Sequence, residues 1–213
     1  MKTITKPDSL IFDMDGTLWD ARDTYVKSWN DGLKEENIEK LVTREEIASM
    51  MGWDSKKVLN ALLPGHTPEE QSRIYKTVNK FRAEQVVSLG GTLYPGVKEG
   101  LAELASTYKL FIVSNCPEGM IDLFIKWAGI EEYITDEIAY GLNNMPKNYN
   151  IKQLIDKYEL QNPVYIGDTE GDRSESEIAG VPFVFFSFGF GKVDKYDLKF
   201  DDFGSFTAYF KDL

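Results

Sequence analysis

The sequence predicts an α/β fold, in which a doubly wound, mostly parallel sheet carries an inserted helical domain. Four short apolar runs each end beside polar or turn-forming residues, and helical patterns separate the later runs. One long stretch near the N-terminus has helical periodicity and no strand pattern. Strands that alternate with helices are typical of a parallel sheet covered by helices on both faces.

The four apolar runs are the predicted strands, at residues 9–13, 110–114, 164–168 and 181–186. Short, nearly continuous apolar runs are typical of parallel strands that are buried on both faces. In such sheets, ligands bind beyond the carboxyl ends of the strands. We therefore expect the polar residues that end these runs to share one edge of the sheet.

Three helical patterns lie between the later strands. The first follows Pro95 and Gly96, the second follows Pro117, and the third follows Asn150. Their apolar residues recur at the three- and four-residue spacing of one helix face. We expect these helices to cross from one strand to the next and cover the sheet.

Residues 20–89 form the predicted helical insert. Val26, Trp29 and Leu33 are spaced for one helix face. Capping boxes at residues 43–46 and 67–70 begin two more helices, and the second has proline at its first helical position. The sequence therefore predicts a core domain of residues 1–19 and 90–213, interrupted by a helical domain of residues 20–89.

The composition narrows the possible partners and compartments. The 213 residues include 24 Lys and Arg against 35 Asp and Glu, a net charge of −11, which argues against nucleic acid as the partner. The single cysteine excludes an internal disulfide bond and favours a reducing compartment. No apolar run is long enough for a signal peptide or a membrane span. We expect a cytoplasmic monomer or small homo-oligomer with no membrane partner.

The segment Asp13-Met-Asp15-Gly16-Thr17 follows the first predicted strand. Two carboxylates two residues apart can face one pocket if the chain turns there, and Gly16 permits such a turn. One aspartate can act as a nucleophile while the other transfers protons. Because adjacent carboxylates repel each other, this pair also predicts a hard divalent cation, Mg²⁺ being the cofactor expected.

Three later segments add polar groups at the same predicted edge. Asp168 ends the third strand and can complete a metal site, while Asp172 lies one helical turn on and can orient the metal's water shell. Ser114 and Asn115 follow the second strand, where a hydroxyl and backbone N–H groups can hold phosphate oxygens. Lys147 follows a turn and precedes the helix that leads to Asp168.

The order of these motifs resembles that of the haloacid dehalogenase (HAD) superfamily. Its four motifs match Asp-x-Asp-Gly-Thr at residues 13–17, the strand-end Ser114, Lys147, and Gly-Asp-x-x-x-Asp at residues 167–172. The resemblance covers the whole chain. It implies a Rossmann-like core with a small helical cap at residues 20–89, similar to members of the phosphoglycolate phosphatase and β-phosphoglucomutase type.

The resemblance also implies a role for each acidic motif residue. Asp13 matches the nucleophile and a metal ligand. Asp15 matches the acid/base, and its main-chain carbonyl matches a second metal ligand. Asp168 matches the remaining carboxylate ligand, and Asp172 and Thr17 match supporting positions.

Ser114 and Lys147 match the phosphate-binding pair of the family, and Asn115 stands beside them as a further phosphate-binding candidate. The family often has Lys-Pro at the lysine motif, whereas here Pro146 precedes Lys147. Lys152 is the alternative lysine, although it falls inside the predicted helix.

These observations together predict a Mg²⁺-dependent phosphatase that hydrolyses a small phosphorylated metabolite through an aspartyl-phosphate intermediate. The acid at position 15 favours phosphate esters, because dehalogenation needs no proton for a leaving alkoxide. A phosphomutase of the β-phosphoglucomutase type, which shares this core, is the alternative. A non-enzymatic phosphoacceptor also uses Asp, Ser or Thr, and Lys, but the large insert after the first strand disfavours it.

Overall fold

A computed structural model describes residues 4–213 of the chain. Six strands form one sheet in the order β5-β4-β1-β6-β7-β8, and two short strands form a separate ribbon. In chain order the strands are β1 (Ser9–Phe12), β2 (Trp19–Asp20), β3 (Thr92–Leu93), β4 (Lys109–Ser114), β5 (Asp136–Ala139), β6 (Pro163–Gly167), β7 (Phe183–Phe186) and β8 (Leu198–Phe200).

Helices occupy the connections and the insert. In chain order they are α1 (Arg22–Glu35), α2 (Arg44–Met50), α3 (Ser55–Leu62), α4 (Pro68–Ser88), α5 (Val97–Ala105), α6 (Met120–Ala128), α7 (Tyr140–Asn143), α8 (Lys147–Tyr158), α9 (Glu170–Ala179) and α10 (Phe203–Lys211), with a 3₁₀ turn at Glu131–Tyr133. Within the described part of the chain, no helix combines the length and apolar character needed to cross a bilayer.

The central strand β1 pairs in parallel with β4 on one side and with β6 on the other. Its side chains alternate between two apolar clusters, one on each face of the sheet. Phe12 packs into the cluster that α5, α6 and α10 cover, whereas Ile11 packs into the cluster beneath α8. The sheet is parallel throughout and covered on both faces, which confirms the predicted α/β fold class.

The chain enters and leaves the insert through one antiparallel ribbon. Trp19 of β2 pairs with Leu93 of β3, so the two ends of the insert lie side by side. Helices α1–α4 lie between them, and no described residue between β2 and β3 joins the six-stranded sheet. Both predicted capping boxes are present, at the start of α2 and at the start of α4. The division into a cap and a core at residues 20 and 89 stays a prediction.

The structure adds elements that the sequence pattern did not indicate. Strands β5 and β8 stand at the two edges of the sheet. Helix α8 begins at Lys147, four residues before the predicted start, because Pro146 has the extended backbone of an N-cap and fits directly before a first helical turn. Lys147 therefore belongs to the first turn of a helix and not to the turn before it.

Candidate active site

The carboxyl ends of three neighbouring strands, β4, β1 and β6, bring the predicted residues together. Asp13 follows β1, Ser114 ends β4, and Asp168 follows β6. The backbone N–H of Asp13 donates to the carbonyl oxygen of Ile166 at 2.8 Å, which extends the pairing of β1 with β6 by one residue. All three side chains are buried.

The loop after Asp13 turns at Gly16, whose backbone has φ of +86°. A Cβ at this position would lie 2.3 Å from Asp168 Oδ2, so both the backbone conformation and the space require glycine. The predicted turn at Gly16 is therefore present, and it holds Asp13, Asp15 and Asp168 at one edge of the sheet.

Lys147 lies between two buried carboxylates. Its Nζ is 3.0 Å from Asp13 Oδ1 and 2.6 Å from Asp172 Oδ1. Burial raises the pKa of Asp13 to about 6, although the lysine charge partly opposes that rise. The two carboxylates raise the pKa of Lys147 well above its usual range despite burial, so the ammonium stays charged. The alternative lysine, Lys152, is exposed on the same helix.

Asp168 is fixed by two hydrogen bonds. Its Oδ2 accepts from the backbone N–H of Phe190 at 2.6 Å, and its Oδ1 accepts from Thr17 Oγ1 at 3.3 Å. The loop of Phe190 approaches closely, because a Cβ on Gly189 would lie 2.3 Å from Asp168 Cβ. The structure thus places the predicted supporting residue Thr17 against Asp168, and it adds the Phe190 amide, which the sequence analysis did not assign to the site.

Asp172 orients its neighbours. Its Oδ2 accepts from the Thr169 hydroxyl at 2.6 Å and from the backbone N–H of Thr169 at 3.0 Å, while its Oδ1 faces Lys147. Both oxygens are therefore engaged within the protein. This carboxylate can hold the lysine and the start of α9 in place, as expected for a supporting residue.

The carboxylates fit a hard divalent cation. Asp13, Asp168 and Asp172 each place one oxygen within 4.8 Å of the others, and all three are buried. Asp13 Oδ1 accepts no hydrogen bond of standard geometry from any described residue, although Lys147 is near it. Asp172 Oδ1 is paired with the Lys147 ammonium, whereas Asp168 accepts only from neutral donors. The carboxylates of Asp13 and Asp168, with the main-chain carbonyl of Asp15, are therefore the oxygens that could hold Mg²⁺.

Asp15 faces away from this cluster, toward the insert. Its Oδ1 accepts a hydrogen bond from the Tyr25 hydroxyl at 2.9 Å. Burial and the nearby charge of Asp13 together raise the pKa of Asp15 to about 7, although the Tyr25 hydrogen bond partly opposes the rise. A carboxyl group that titrates near neutrality can both give and take a proton under ordinary conditions.

The two predicted phosphate-binding residues after β4 have different surroundings. Ser114 is buried at the strand end, beside Asp13 in the lining of one pocket. The side-chain amide of Asn115 donates to the carbonyl oxygen of Gly52 at 2.8 Å, so it joins the core to the loop between α2 and α3. A contact between Asn115 and phosphate would therefore use its backbone N–H.

A pocket lies between the sheet edge and the insert. Asp13, Asp15 and Ser114 line it from the sheet, and aromatic and aliphatic side chains of α1 to α4 line the opposite side. Among the polar residues of this lining that the sequence analysis missed are Tyr25 and Arg82. Arg82 falls on the buried stripe of α4 after Ile74 and Val78, and a charged residue on such a stripe was the available signal.

Comparison with known proteins identifies relatives of the chain. The family model described as Haloacid dehalogenase-like hydrolase matches residues 10–186. A phosphoglycolate phosphatase from Rhodobacter capsulatus is 30% identical over 209 residues, which covers 92% of this chain and 94% of that protein. A pyrophosphatase from Listeria innocua is 25% identical over 188 residues, which covers 83% of each chain.

A solved structure shares the fold over nearly the whole length. The haloacid dehalogenase-like family hydrolase from Streptococcus pneumoniae superposes with a TM-score of 0.82 at 20% sequence identity. The match covers 96% of this chain and 99% of that one. At this identity the similarity establishes the fold alone.

Proposed function

Because this chain belongs to the haloacid dehalogenase-like hydrolase family, we propose that it is a Mg²⁺-dependent phosphatase that forms an aspartyl phosphate on Asp13. The predicted family and enzyme class, a hydrolase of phosphoric monoesters, are confirmed by the family match and by the phosphatases among its relatives. One observation supports the finer proposal: Asp13 is buried with its Oδ1 3.0 Å from Lys147 Nζ, two residues from the second carboxylate, Asp15.

Asp13 is suited to attack phosphorus. Lys147 keeps its carboxylate ionised in a buried setting, and its Oδ1 accepts no standard hydrogen bond from a described residue. In the first step, an Asp13 oxygen forms a bond to phosphorus while the bond from phosphorus to the ester oxygen breaks. The phosphoryl group is then carried on Asp13 and the alcohol is the first product.

Asp15 is suited to move the protons. Its protonated carboxyl gives a proton to the departing ester oxygen, and the resulting carboxylate then takes a proton from water. That water attacks the phosphorus of the aspartyl phosphate, which releases inorganic phosphate and restores Asp13. The Tyr25 hydroxyl, 2.9 Å from Asp15 Oδ1, holds the carboxyl in position through this cycle.

Mg²⁺ would be held by the carboxylates of Asp13 and Asp168 and by the Asp15 main-chain carbonyl. When bound, it would offset the repulsion between the Asp13 carboxylate and the phosphate dianion. The side chains of Lys147 and Ser114 would bind other oxygens of the phosphate. The engaged oxygens of Asp172 keep Lys147 aimed at Asp13.

The substrate is a small phosphorylated metabolite. Two curated relatives are named for phosphoglycolate and for pyrophosphate, which are both small molecules. The pocket between the sheet edge and the insert is lined by side chains of both parts, so a bound ester would be shielded from water. A screen of small phosphate esters, with Mg²⁺ and with excess chelator, would identify the ester class.

Separate substitutions test the two roles. Asp13→Asn should abolish turnover and the phosphoryl adduct. Asp15→Asn should slow turnover by about 10²- to 10⁴-fold, the usual contribution of a general acid or base, yet still accept phosphoryl from acetyl phosphate. Asp156→Asn, on the exposed side of α8, is the matched control and should keep full activity.

Mass spectrometry after rapid acid quench identifies the peptide that carries the phosphoryl group. We expect it on the peptide that contains Asp13, at higher occupancy in Asp15→Asn than in the unaltered protein. An adduct on Asp15, or full turnover by Asp13→Asn, would overturn the assignment of roles. Full turnover in excess chelator after dialysis would overturn the metal requirement.

A further inference from the structure

Arg82 is a buried cation on the insert side of the pocket. Only 7% of its surface is exposed, and it belongs to the lining that also contains Asp13 and Asp15. Arg82 Nη1 donates to Asn79 Oδ1 at 3.1 Å, whereas Nε is buried and has no hydrogen-bond partner. Among residues 4–213, no carboxylate approaches the guanidinium within the ion-pair distance of 4.0 Å.

The surroundings of this guanidinium are aromatic. Its Cζ lies 5.0 Å from the ring centroid of Tyr25 and 5.8 Å from that of Tyr75. Ring faces attract a cation, but they leave the N–H donors at its edge unused. A buried guanidinium with an unused donor and no carboxylate in direct contact is costly, so an anion that reached it would bind with a strong charge-assisted contact.

The Arg82 charge acts on Asp15, whose pKa it lowers, but the two side chains are not in direct contact. The described oxygen partner of Asp15 is the Tyr25 hydroxyl, and Arg82 makes no ion pair with Asp15. Arg82 is also the one cation in the described lining of this pocket, because Lys147 opens onto an adjoining one. The pocket thus has two acids at the sheet edge and one cation on α4.

We propose that Arg82 binds a second anionic group of the substrate, which makes the preferred substrates phosphate esters or anhydrides that carry a further carboxylate or phosphate. This inference rests on the proposed phosphatase function of the same site. The phosphoryl group lies against Asp13 at the sheet edge, and the second anion lies against the guanidinium on α4. Esters of uncharged alcohols would leave the buried charge unpaired and are disfavoured.

The test compares substrates that differ in the second group. The probes are 2-phosphoglycolate, pyrophosphate and 2-hydroxyethyl phosphate, which carry a carboxylate, a second phosphate and a neutral hydroxyl. We expect the unaltered protein to prefer an anionic probe, and the ratio of the first two identifies the anion. In Arg82→Met, the kcat/KM preference for that probe over the neutral one should fall about 10- to 100-fold, mainly through KM.

Two further variants keep the test specific. Arg82→Lys keeps the charge but not the fork of donors, and it should recover part of the preference. Lys80→Met removes an exposed cation from the same helix and should leave the preference unchanged. An equal fall for charged and neutral probes in Arg82→Met, or a preference of the unaltered protein for the neutral probe, would overturn the proposal.

A binding measurement separates this proposal from the proposed function. Trp29 and Trp53 line the same pocket, so their fluorescence can report binding of 2-phosphoglycolate and pyrophosphate in chelator, without turnover. Arg82→Met should weaken binding of the preferred anion by about 10-fold or more even if no ester is hydrolysed. Unchanged affinity for both anions would refute the role of Arg82, whereas failure of the unaltered protein to hydrolyse any ester with Mg²⁺ refutes the phosphatase proposal alone.

Discussion

Replacing Lys147 with methionine would remove the positive charge that lies between two buried carboxylates. Methionine has nearly the same length and fills the same space without the ammonium. Asp13 and Asp172, which are 3.0 Å and 2.6 Å from Lys147 Nζ, would then face each other with no counter-charge. The perturbation is therefore electrostatic and not a loss of packing.

The size of the effect follows from this burial. Removing one partner of a buried ion pair typically costs about 3–5 kcal/mol of unfolding free energy, because it leaves an uncompensated charge. For a chain of 213 residues, each kcal/mol shifts the melting temperature by about 2–4 °C. Lys147→Met should therefore melt about 6–20 °C below the unaltered protein.

The deficit should depend on pH in a defined direction. The pKa of Asp13 in the folded protein is about 6, already above its ordinary 3.8, and loss of the lysine charge would raise it further. A group whose pKa is higher in the folded state than in the unfolded state costs stability as pH rises through the folded pKa. The variant should thus be closer to the unaltered protein at pH 5 than at pH 8.

Urea unfolding in chelator, at pH 5 and pH 8, measures both effects, and a phosphate-ester assay with Mg²⁺ measures activity. We expect Lys147→Met to be inactive. Lys152→Met is the matched control, since Lys152 is exposed on the same helix, and it should match the unaltered protein in both assays. A stable, active Lys147→Met protein beside an inactive Lys152→Met protein would refute the assignment of Lys147.

Three further predictions concern other parts of the molecule. Burial raises the pKa of Glu137 to about 7, and its Oε2 has no hydrogen-bond partner, so its charge at pH 8 costs stability. Glu137→Gln should therefore raise the urea midpoint at pH 8 and change it little at pH 5. A larger gain at pH 5 would contradict this reasoning. Gly16→Ala forces a Cβ into Asp168 at positive φ, and it should lower the unfolding free energy by at least about 1–3 kcal/mol and abolish turnover, as calorimetry and an ester assay would show. Asn115→Ala removes the hydrogen bond to Gly52, and it should lower kcat/KM about 2- to 10-fold and speed proteolysis within the insert. Unchanged values of both would argue that this bond does not hold the loop between α2 and α3 against the core.

The parts of the fold that the sequence predicts well are those whose signals are local. The four predicted strands are the buried ones, in which nearly every side chain is apolar. Strands β5 and β8 were missed because they stand at the edges of the sheet, where half-exposed and charged residues such as Asp136 and Lys199 interrupt the apolar pattern. The capping boxes were predictable because each is complete within four residues.

In the candidate site, too, some residues have a local sequence signal and others do not. Asp13, Asp15 and Asp168 follow directly from strand ends, so the sheet topology alone brings them near one another. Tyr25 and Arg82 reach the same pocket from α1 and α4, and their approach depends on how the insert packs over the sheet. No local pattern fixes that packing.

The pairing of β1 determines which parts of the chain can fold while it is being synthesised. Its first residue, Ser9, is partnered by Lys109 and by Pro163, so the middle strand of the sheet is made long before either neighbour. At about 5–20 residues per second, a ribosome needs roughly 5–20 s to reach β4 after β1 has been made. Until then the segment Ser9–Phe12 has neither of its partner strands, while α1–α4 can already form from contacts within the insert. We therefore expect nascent chains that end before residue 109 to protect the insert helices from proteases and to leave β1 open to chaperones.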